Sequence, residues 1–237
     1  MPLPPDLVAT RTTLHRVAAH VLGRRRHDVT GRFGLRNSPG GFATPAFGDG
    51  PEVVRVAGAS LVRETAAGAA YVPVQGSTLR ALAAFAGTDV EAEFSVGADT
   101  PALGDVDAPL ARGPEAAHVI NAWFAHGWRA LDEVLAGLPA AAAPAVVQLW
   151  PEHFDAGTNV GVAGGQRCNL GVSPGDAFSD EPYAYVGPWG DERPGTSAYW
   201  NAPFGAVIRW EEVAEGGDPV GAIAGFLREG LARLGPV

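Results

Sequence analysis

A chain of 237 residues with 46 % apolar and 18 % charged residues is long enough to bury a large core and is not of the disordered class. Its formal net charge of −9 argues against nucleic acid as a general partner, because most of the surface would repel a phosphate backbone. All the basic residues are arginines, which excludes Schiff-base chemistry on lysine and a P-loop lysine.

The cysteine content and the hydropathy predict a soluble, cytoplasmic protein. Cys168 is the single cysteine, so no internal disulfide can form, whereas secreted domains usually carry several. Residues 1–6 lack the basic and apolar regions of a signal peptide. The apolar stretch 138–149 is shorter than the roughly 20 residues that span a bilayer.

The residue pattern of the N-terminal half predicts one helix, several strands and a second helix. The apolar spacing of Leu14, Val17 and Val21 indicates a helix from Asp6 or Thr10 to Leu22, with Gly23 as a natural stop. Residues 42–47 look irregular. Strands are predicted at 30–36, 53–56, 60–63 and 70–74, and a helix runs from Ser77 to Phe85.

The residue pattern of the C-terminal half predicts a long connection, two helices and a run of strands. Residues 94–113 are rich in Gly, Pro and Asp and form the connection, with room for one strand. The longest helix covers 114–138, and a final helix starts at Asp218 or Pro219 and ends at Leu234. Strands are predicted at 146–150, 158–162, 168–172, 183–186 and 206–210.

Clustered strands with short connections favour an α+β fold, with a largely antiparallel sheet or sheets and about four helices packed against them. The Ala- and Pro-rich stretch 139–145 is the best internal boundary. We expect a single domain over residues 1–237, in which the possible halves 1–138 and 146–237 share one core.

The densest polar cluster lies at 149–155, where Glu152, His153 and Asp155 are candidate catalytic groups. On an extended segment, alternate residues share a face, so His153 and Asp155 could converge while Glu152 diverges. Pro151 is expected to end the strand. Trp150 is a candidate for ligand contact and, like Phe154, for a buried anchor. Alternatively, the segment simply leaves a strand and its polar groups are structural.

Two further segments offer ligand-binding candidates. Asn169 and Asp176 flank the turn sequence Ser173-Pro-Gly, and they either lie at a pocket rim or belong to an ordinary turn. Tyr183 and Tyr185 share one face of a predicted strand. They either pack in a core or line a pocket with their hydroxyl groups exposed to solvent.

Signatures of the common cofactor sites are missing from the sequence. There is no Walker loop, no G-x-G-x-x-G opening a helix and no G-x-S-x-G elbow. One cysteine and scattered histidines do not supply the usual closed metal set. We therefore predict neither a metal nor another cofactor, and the sequence does not indicate an oligomeric state.

Taken together, these segments resemble a bacterial family described only as a domain of unknown function, number 5996. The similarity is one of order and spacing over nearly the whole length. The matching parts are the Thr13-Leu14-His15 helix, 41–47, the hairpin 53–61, 150–155 against the family's W-x-x-F-D stretch, 169–175, 183–188 and the final helix at Asp218. Residues 24–28 depart from the family's Trp- and His-rich stretch. The resemblance implies one domain and no particular activity.

Two functions fit these patterns. In the first, the chain is a small-molecule-binding protein or an enzyme with a pocket built from 150–188. In the second, it is a non-catalytic interaction or accessory protein that uses exposed aromatic residues. A concave site that holds His153 beside a carboxylate favours the first, and a flat aromatic patch favours the second.

Overall fold

The computed structural model describes residues 2–97 and 99–235, which form two compact units. The N-terminal unit comprises Pro2–Ala122 and Leu149–Phe154. The C-terminal unit comprises Trp123–Gln148 and the chain from Asp155 onward. Among the described residues, no helix is both long enough and apolar enough to cross a membrane.

The fold class is α+β with antiparallel sheets, as predicted. Its helices are α1 Leu7–Val17, α2 Arg24–Thr30, α3 Leu79–Ala86, α4 Pro114–Ala136, α5 Trp210–Glu215 and α6 Pro219–Leu234. The strands are β1 Arg36–Ser38, β2 Gly41–Ala43, β3 Val53–Ala57, β4 Ser60–Thr65, β5 Gly68–Pro73, β6 Gln148–Trp150, β7 Asp155–Gly161, β8 Arg167–Ser173, β9 Tyr183–Pro188 and β10 Ala206–Arg209.

Each set of five strands forms a meander in which neighbours in sequence pair antiparallel. The first sheet has the order β1-β2-β3-β4-β5, and the second has the order β10-β9-β8-β7-β6. In the first sheet, Val56 pairs with Leu61 and with Phe42, and all three side chains are fully buried. This face of the sheet therefore belongs to the core of the N-terminal unit.

The first helix does not stop at Gly23, which was a wrong prediction. The chain continues through a π-helical segment, Ala18–Gly23, into α2, and Gly31 ends it in the left-handed conformation at φ 69°. A Cβ at position 23 would lie 3.2 Å from Cγ of Pro151. Gly23 thus lies in close contact with a distant segment, a role that its sequence neighbours do not reveal.

Two other expectations for the N-terminal half are also wrong. The strand predicted at 30–36 is absent, because α2 runs to Thr30 and β1 begins only at Arg36. The stretch 42–47, expected to be irregular, starts within β2, where Gly41 packs directly against the backbone of Val56. A side chain at position 41 would collide with that carbonyl, so glycine permits the pairing.

In the C-terminal unit, helices cover one face of the second sheet. Gly127 of α4 packs against the Val172 side chain, and Gly230 of α6 lies where a Cβ would be 2.8 Å from Val186. Small residues let these helices approach the sheet closely. Asp218 caps α6 by accepting a hydrogen bond from the Gly221 N–H at 3.0 Å, as its place before Pro219 predicts.

Candidate functional site

The strands β7 to β10 divide their side chains between an apolar face and a polar one. Alternate residues such as Ala156, Leu170 and Val186 are fully buried on the apolar face. The opposite side chains form what we call the polar face: Asp155, Asn159, Asn169, Ser173, Tyr183, Tyr185, Arg209 and, just beyond β9, Trp189. The two faces differ because successive side chains of a strand point to opposite sides of the sheet.

Two glycines give Tyr185 its position on the polar face. Gly157, Gly171 and Tyr185 lie directly opposite one another on β7, β8 and β9. A Cβ at position 171 would lie 2.5 Å from Cζ of Tyr185, and one at position 157 would lie 2.9 Å from its hydroxyl oxygen. The hydroxyl end of the phenol therefore lies over Gly157 and Gly171, in space that a side chain at either position would occupy.

The Tyr185 hydroxyl reaches Asp155, at the start of β7, and donates a hydrogen bond to its Oδ2 atom. Burial and the nearby Asp155 carboxylate raise the pKa of Tyr185 well above its ordinary value. The phenol consequently keeps its proton and acts as a donor. The half-buried pair places a neutral phenol beside a carboxyl group, and the phenol is unsuited to act as a base at neutral pH.

Asp176 organises the loop between β8 and β9. Its Oδ2 atom accepts hydrogen bonds from the hydroxyls of Tyr183 at 2.5 Å and Ser173 at 3.4 Å, and its Oδ1 atom accepts from the N–H groups of Phe178 and Ser179. Burial and the Asp176 carboxylate raise the pKa of Tyr183. With four donors from its own unit, Asp176 holds the turn between the two strands.

An aromatic cluster borders Tyr185. The Phe204 ring packs edge-on to Tyr185, with centroids 6.5 Å apart, and lies 5.0 Å from the ring of Phe178. Phe178 and Phe204 are exposed by 37 % and 38 %. The guanidinium of Arg209 stacks on Phe178 and donates to the Ser179 hydroxyl at 3.1 Å. The edge of the polar face is thus apolar and partly open to solvent.

Asn169 lies at the opposite end of the polar face and is exposed. Its side-chain oxygen accepts a 2.7 Å hydrogen bond from the indole N–H of Trp189, whose ring is 60 % exposed. In the neighbouring strand, Asn159 accepts from Arg167 at 2.5 Å. An exposed amide and an exposed indole therefore lie side by side at this end of the polar face.

The Trp150 to Phe154 segment is a tight turn, so the expected alternation of an extended segment is wrong here. The Phe154 N–H donates to the Trp150 carbonyl at 2.8 Å, and Phe154 adopts a left-handed φ of 56°. Phe154 is buried, as predicted for an anchor, while Trp150 is only half-buried. The strand β6 ends at Trp150, before Pro151, as expected.

The three predicted catalytic residues occupy different surroundings. Glu152 is buried in the N-terminal unit. His153, in the same unit, has a side chain that is 51 % exposed and an Nδ1 atom 3.3 Å from Oδ2 of Asp99. Asp155 belongs to the C-terminal unit, where it accepts from Tyr185. The predicted pocket residues are therefore divided between the two units.

A histidine that the sequence reasoning passed over holds the turn. The Nε2 atom of His15 donates to the carbonyls of Pro151 and Glu152, each at 3.0 Å, and its ring stacks on Phe154. Burial lowers the pKa of His15 from 6.5 to about 4, so the imidazole is neutral at physiological pH. Its place beside the apolar stripe of α1 was the available signal for a buried histidine.

Neither the thiol nor the carboxylates of the described residues suggest metal or nucleophile chemistry. Burial raises the pKa of Cys168 to about 12, so its thiol stays protonated. In the part of the chain that the structure describes, no group of three His, Cys, Asp or Glu side chains is arranged to hold a metal ion.

Comparisons with protein families, curated proteins and solved structures give no match for this chain.

Proposed function

We propose that the chain is a small-molecule-binding protein whose polar face receives a ligand rich in hydrogen-bond donors, such as a polyol or an amine. The observation that carries this proposal is the hydroxyl end of Tyr185, which lies over Gly157 and Gly171 and donates a hydrogen bond to Asp155. Aromatic rings beside a few polar groups line many ligand sites, in which the ring supplies contact area and the polar groups fix orientation.

The chemistry of the surrounding groups supports a donor-rich ligand. Asp155 places a half-buried carboxyl group beside the Tyr185 hydroxyl, and Asn169 adds an exposed amide at the other end of the face. The net charge of −9 attracts cations and repels anions at long range. The raised pKa of Tyr185 keeps the phenol neutral, which suits binding better than acid–base catalysis.

The proposal is tested by thermal-shift screening of neutral sugars, polyols, amines and organic acids, followed by calorimetry on any compound that stabilises the protein. A ligand that binds only the folded state raises its melting temperature. We expect neutral or cationic compounds to do so, and we expect Asp155→Asn to abolish the effect. Asp191→Asn removes the same charge from an exposed position of the same unit and is the matched control.

The outcome is decisive if each variant is first shown to be folded. Binding that survives Asp155→Asn, or a response confined to the organic acids, contradicts the proposed site. Tyr185→Phe keeps the ring and removes the hydroxyl. It should therefore weaken binding without removing it, because the aromatic surface remains in place.

The exposed aromatic side chains favour a second function, that of a non-catalytic interaction protein. Phe178, Phe204 and Trp189 all lie at the border of the polar face with at least a third of their surface exposed. Apolar patches of this kind also mark protein-binding surfaces. Under this alternative, Phe178→Ser should remove partner binding while small-molecule responses stay absent. A cytoplasmic location and the resemblance to the bacterial family remain part of the proposal.

A further inference from the structure

The outer strand of the first sheet, β5, has few of the features that usually protect an edge, apart from Pro73 at its end. It pairs with β4 on one side and is the last strand in the sheet order. All six of its residues, Gly68–Pro73, are exposed or half-buried, and Tyr71 is 76 % exposed. None of them carries a charge, although charged side chains are a common device against edge-to-edge association.

The pairing with β4 determines which backbone groups point outward. The Val74 N–H bonds to the Ala59 carbonyl at 3.0 Å, and hydrogen-bonded pairs alternate along an antiparallel ladder. Val72 and Ala70 therefore bond inward to β4, whereas Ala69 and Tyr71 direct both their N–H and C=O groups away from it. The Pro73 carbonyl also points outward, but it accepts a 2.6 Å bond from the Ser77 hydroxyl.

These outward groups are complementary to themselves. If a second β5 lies antiparallel with Ala70 opposite Ala70, then Ala69 faces Tyr71 of the other copy on both sides of the two-fold axis. Each facing pair exchanges two hydrogen bonds, so four bonds use every outward N–H and C=O of Ala69 and Tyr71. The central non-bonded pair, where side chains approach most closely, consists of alanines. Each Tyr71 ring can cover the opposing Ala69.

We propose that two copies of this chain associate through β5 in this register, which joins their first sheets into one continuous sheet. The association is independent of the polar face, so either proposal can fail alone. The net charge of −9 on each copy opposes it, and salt screens that repulsion. The dimer should consequently strengthen as the salt concentration rises, in contrast to an association based on ion pairs.

The test places charges at the two-fold axis. In the proposed register position 70 faces itself, so both Ala70→Lys and Ala70→Glu place like charges directly opposite each other and should weaken the dimer by up to about fivefold. An equimolar mixture of the two variants should restore it, because Lys then faces Glu. Arg63 lies opposite Ala70 within the monomer, so the melting temperature of each variant is measured first.

Sedimentation of the intact chain across protein and salt concentrations gives the mass, 24.4 kDa for one copy or twice that for the dimer. Val146→Lys, at a site that is 82 % exposed and outside the strands, is the matched control and should still form the dimer. A wild-type protein that stays monomeric in about 0.5 M salt overturns the proposal. So does a dimer that tolerates both charged variants, or a mixture that fails to restore it.

A second variant tests the hydrogen bonds themselves. Ala69→Pro removes an outward N–H and leaves the ladder with β4 intact, because Ala69 does not bond inward. We expect this variant to fold and to remain monomeric. A folded Ala69→Pro protein that dimerises as well as the wild type would show that the association uses another surface.

Discussion

Replacing Gly171 with alanine is the most direct probe of the polar face. The added Cβ would lie 2.5 Å from Cζ of Tyr185 and 2.7 Å from the Ala156 carbonyl oxygen, both well inside van der Waals contact. The ring has to lift from the sheet, which also breaks its hydrogen bond to Asp155. Overpacking of this kind costs about 1 to 3 kcal/mol, and the lost bond to a half-exposed carboxylate adds about 1 kcal/mol. We therefore expect Gly171→Ala to lower the free energy of unfolding by about 2 to 4 kcal/mol.

Urea unfolding followed by tryptophan fluorescence measures this change, and a double-mutant cycle assigns it. In a Tyr185→Ala background the ring is gone, so only the contact with the Ala156 carbonyl remains and the cost of Gly171→Ala should fall by about half. Gly216→Ala, which meets no atom within 4 Å, controls for the general effect of replacing glycine. An equal cost in both backgrounds would refute the placement of the ring over Gly171.

Three other measurements test other parts of the structure. Burial lowers the pKa of His15 from 6.5 to about 4, so the unfolded chain binds more protons between these values. Stability should therefore be full above pH 6.5 and fall by on the order of 3 kcal/mol toward pH 4, and His15→Gln should flatten this urea-unfolding profile. Glu52→Gln should cost about 2 kcal/mol in urea unfolding, because buried Glu52 accepts paired bonds from both Arg25 and Arg63; an unchanged midpoint would contradict this. Gly225→Ala should raise the melting temperature, with a gain of about 0.5 to 1 kcal/mol, because the site is helical and open; a lower melting temperature would show a contact that this geometry lacks.

Local signals predicted much of the fold. The cap of α6 at Asp218 and the strand pair β8 and β9 follow from turn chemistry and from alternation, both of which are properties of neighbouring residues. Gly23 could not be interpreted in this way. In the sequence it resembles a helix stop, but its role is to admit Pro151, which is distant in the chain. Sequence patterns do not distinguish these two uses of glycine.

The candidate site shows the same limit. The period-two pattern predicts that Tyr183 and Tyr185 share a strand face, and the structure places them on one face. The position of the Tyr185 ring depends on Gly157 and Gly171, which lie on two other strands. Only the register of the sheet brings the three residues into one row. A cross-strand relationship of this kind cannot be deduced from any single segment.

The turn before β7 gives a prediction in which the usual order of two substitutions is reversed. Phe154 is fully buried against Phe42 and His15, yet it holds a left-handed φ of 56°, which costs an L-residue about 1 kcal/mol. Phe154→Ala and Phe154→Gly both remove the ring, with a loss of about 3 to 5 kcal/mol, but only glycine relieves the backbone. The glycine variant should therefore be the more stable of the two by about 0.5 to 1 kcal/mol.

Phe42, a strand position without positive φ, is the control. There the alanine and glycine substitutions should show the ordinary order, with the alanine variant the more stable. Chemical unfolding of the four variants decides the matter, and an ordinary order at both positions would show that the turn does not hold Phe154 in the left-handed region.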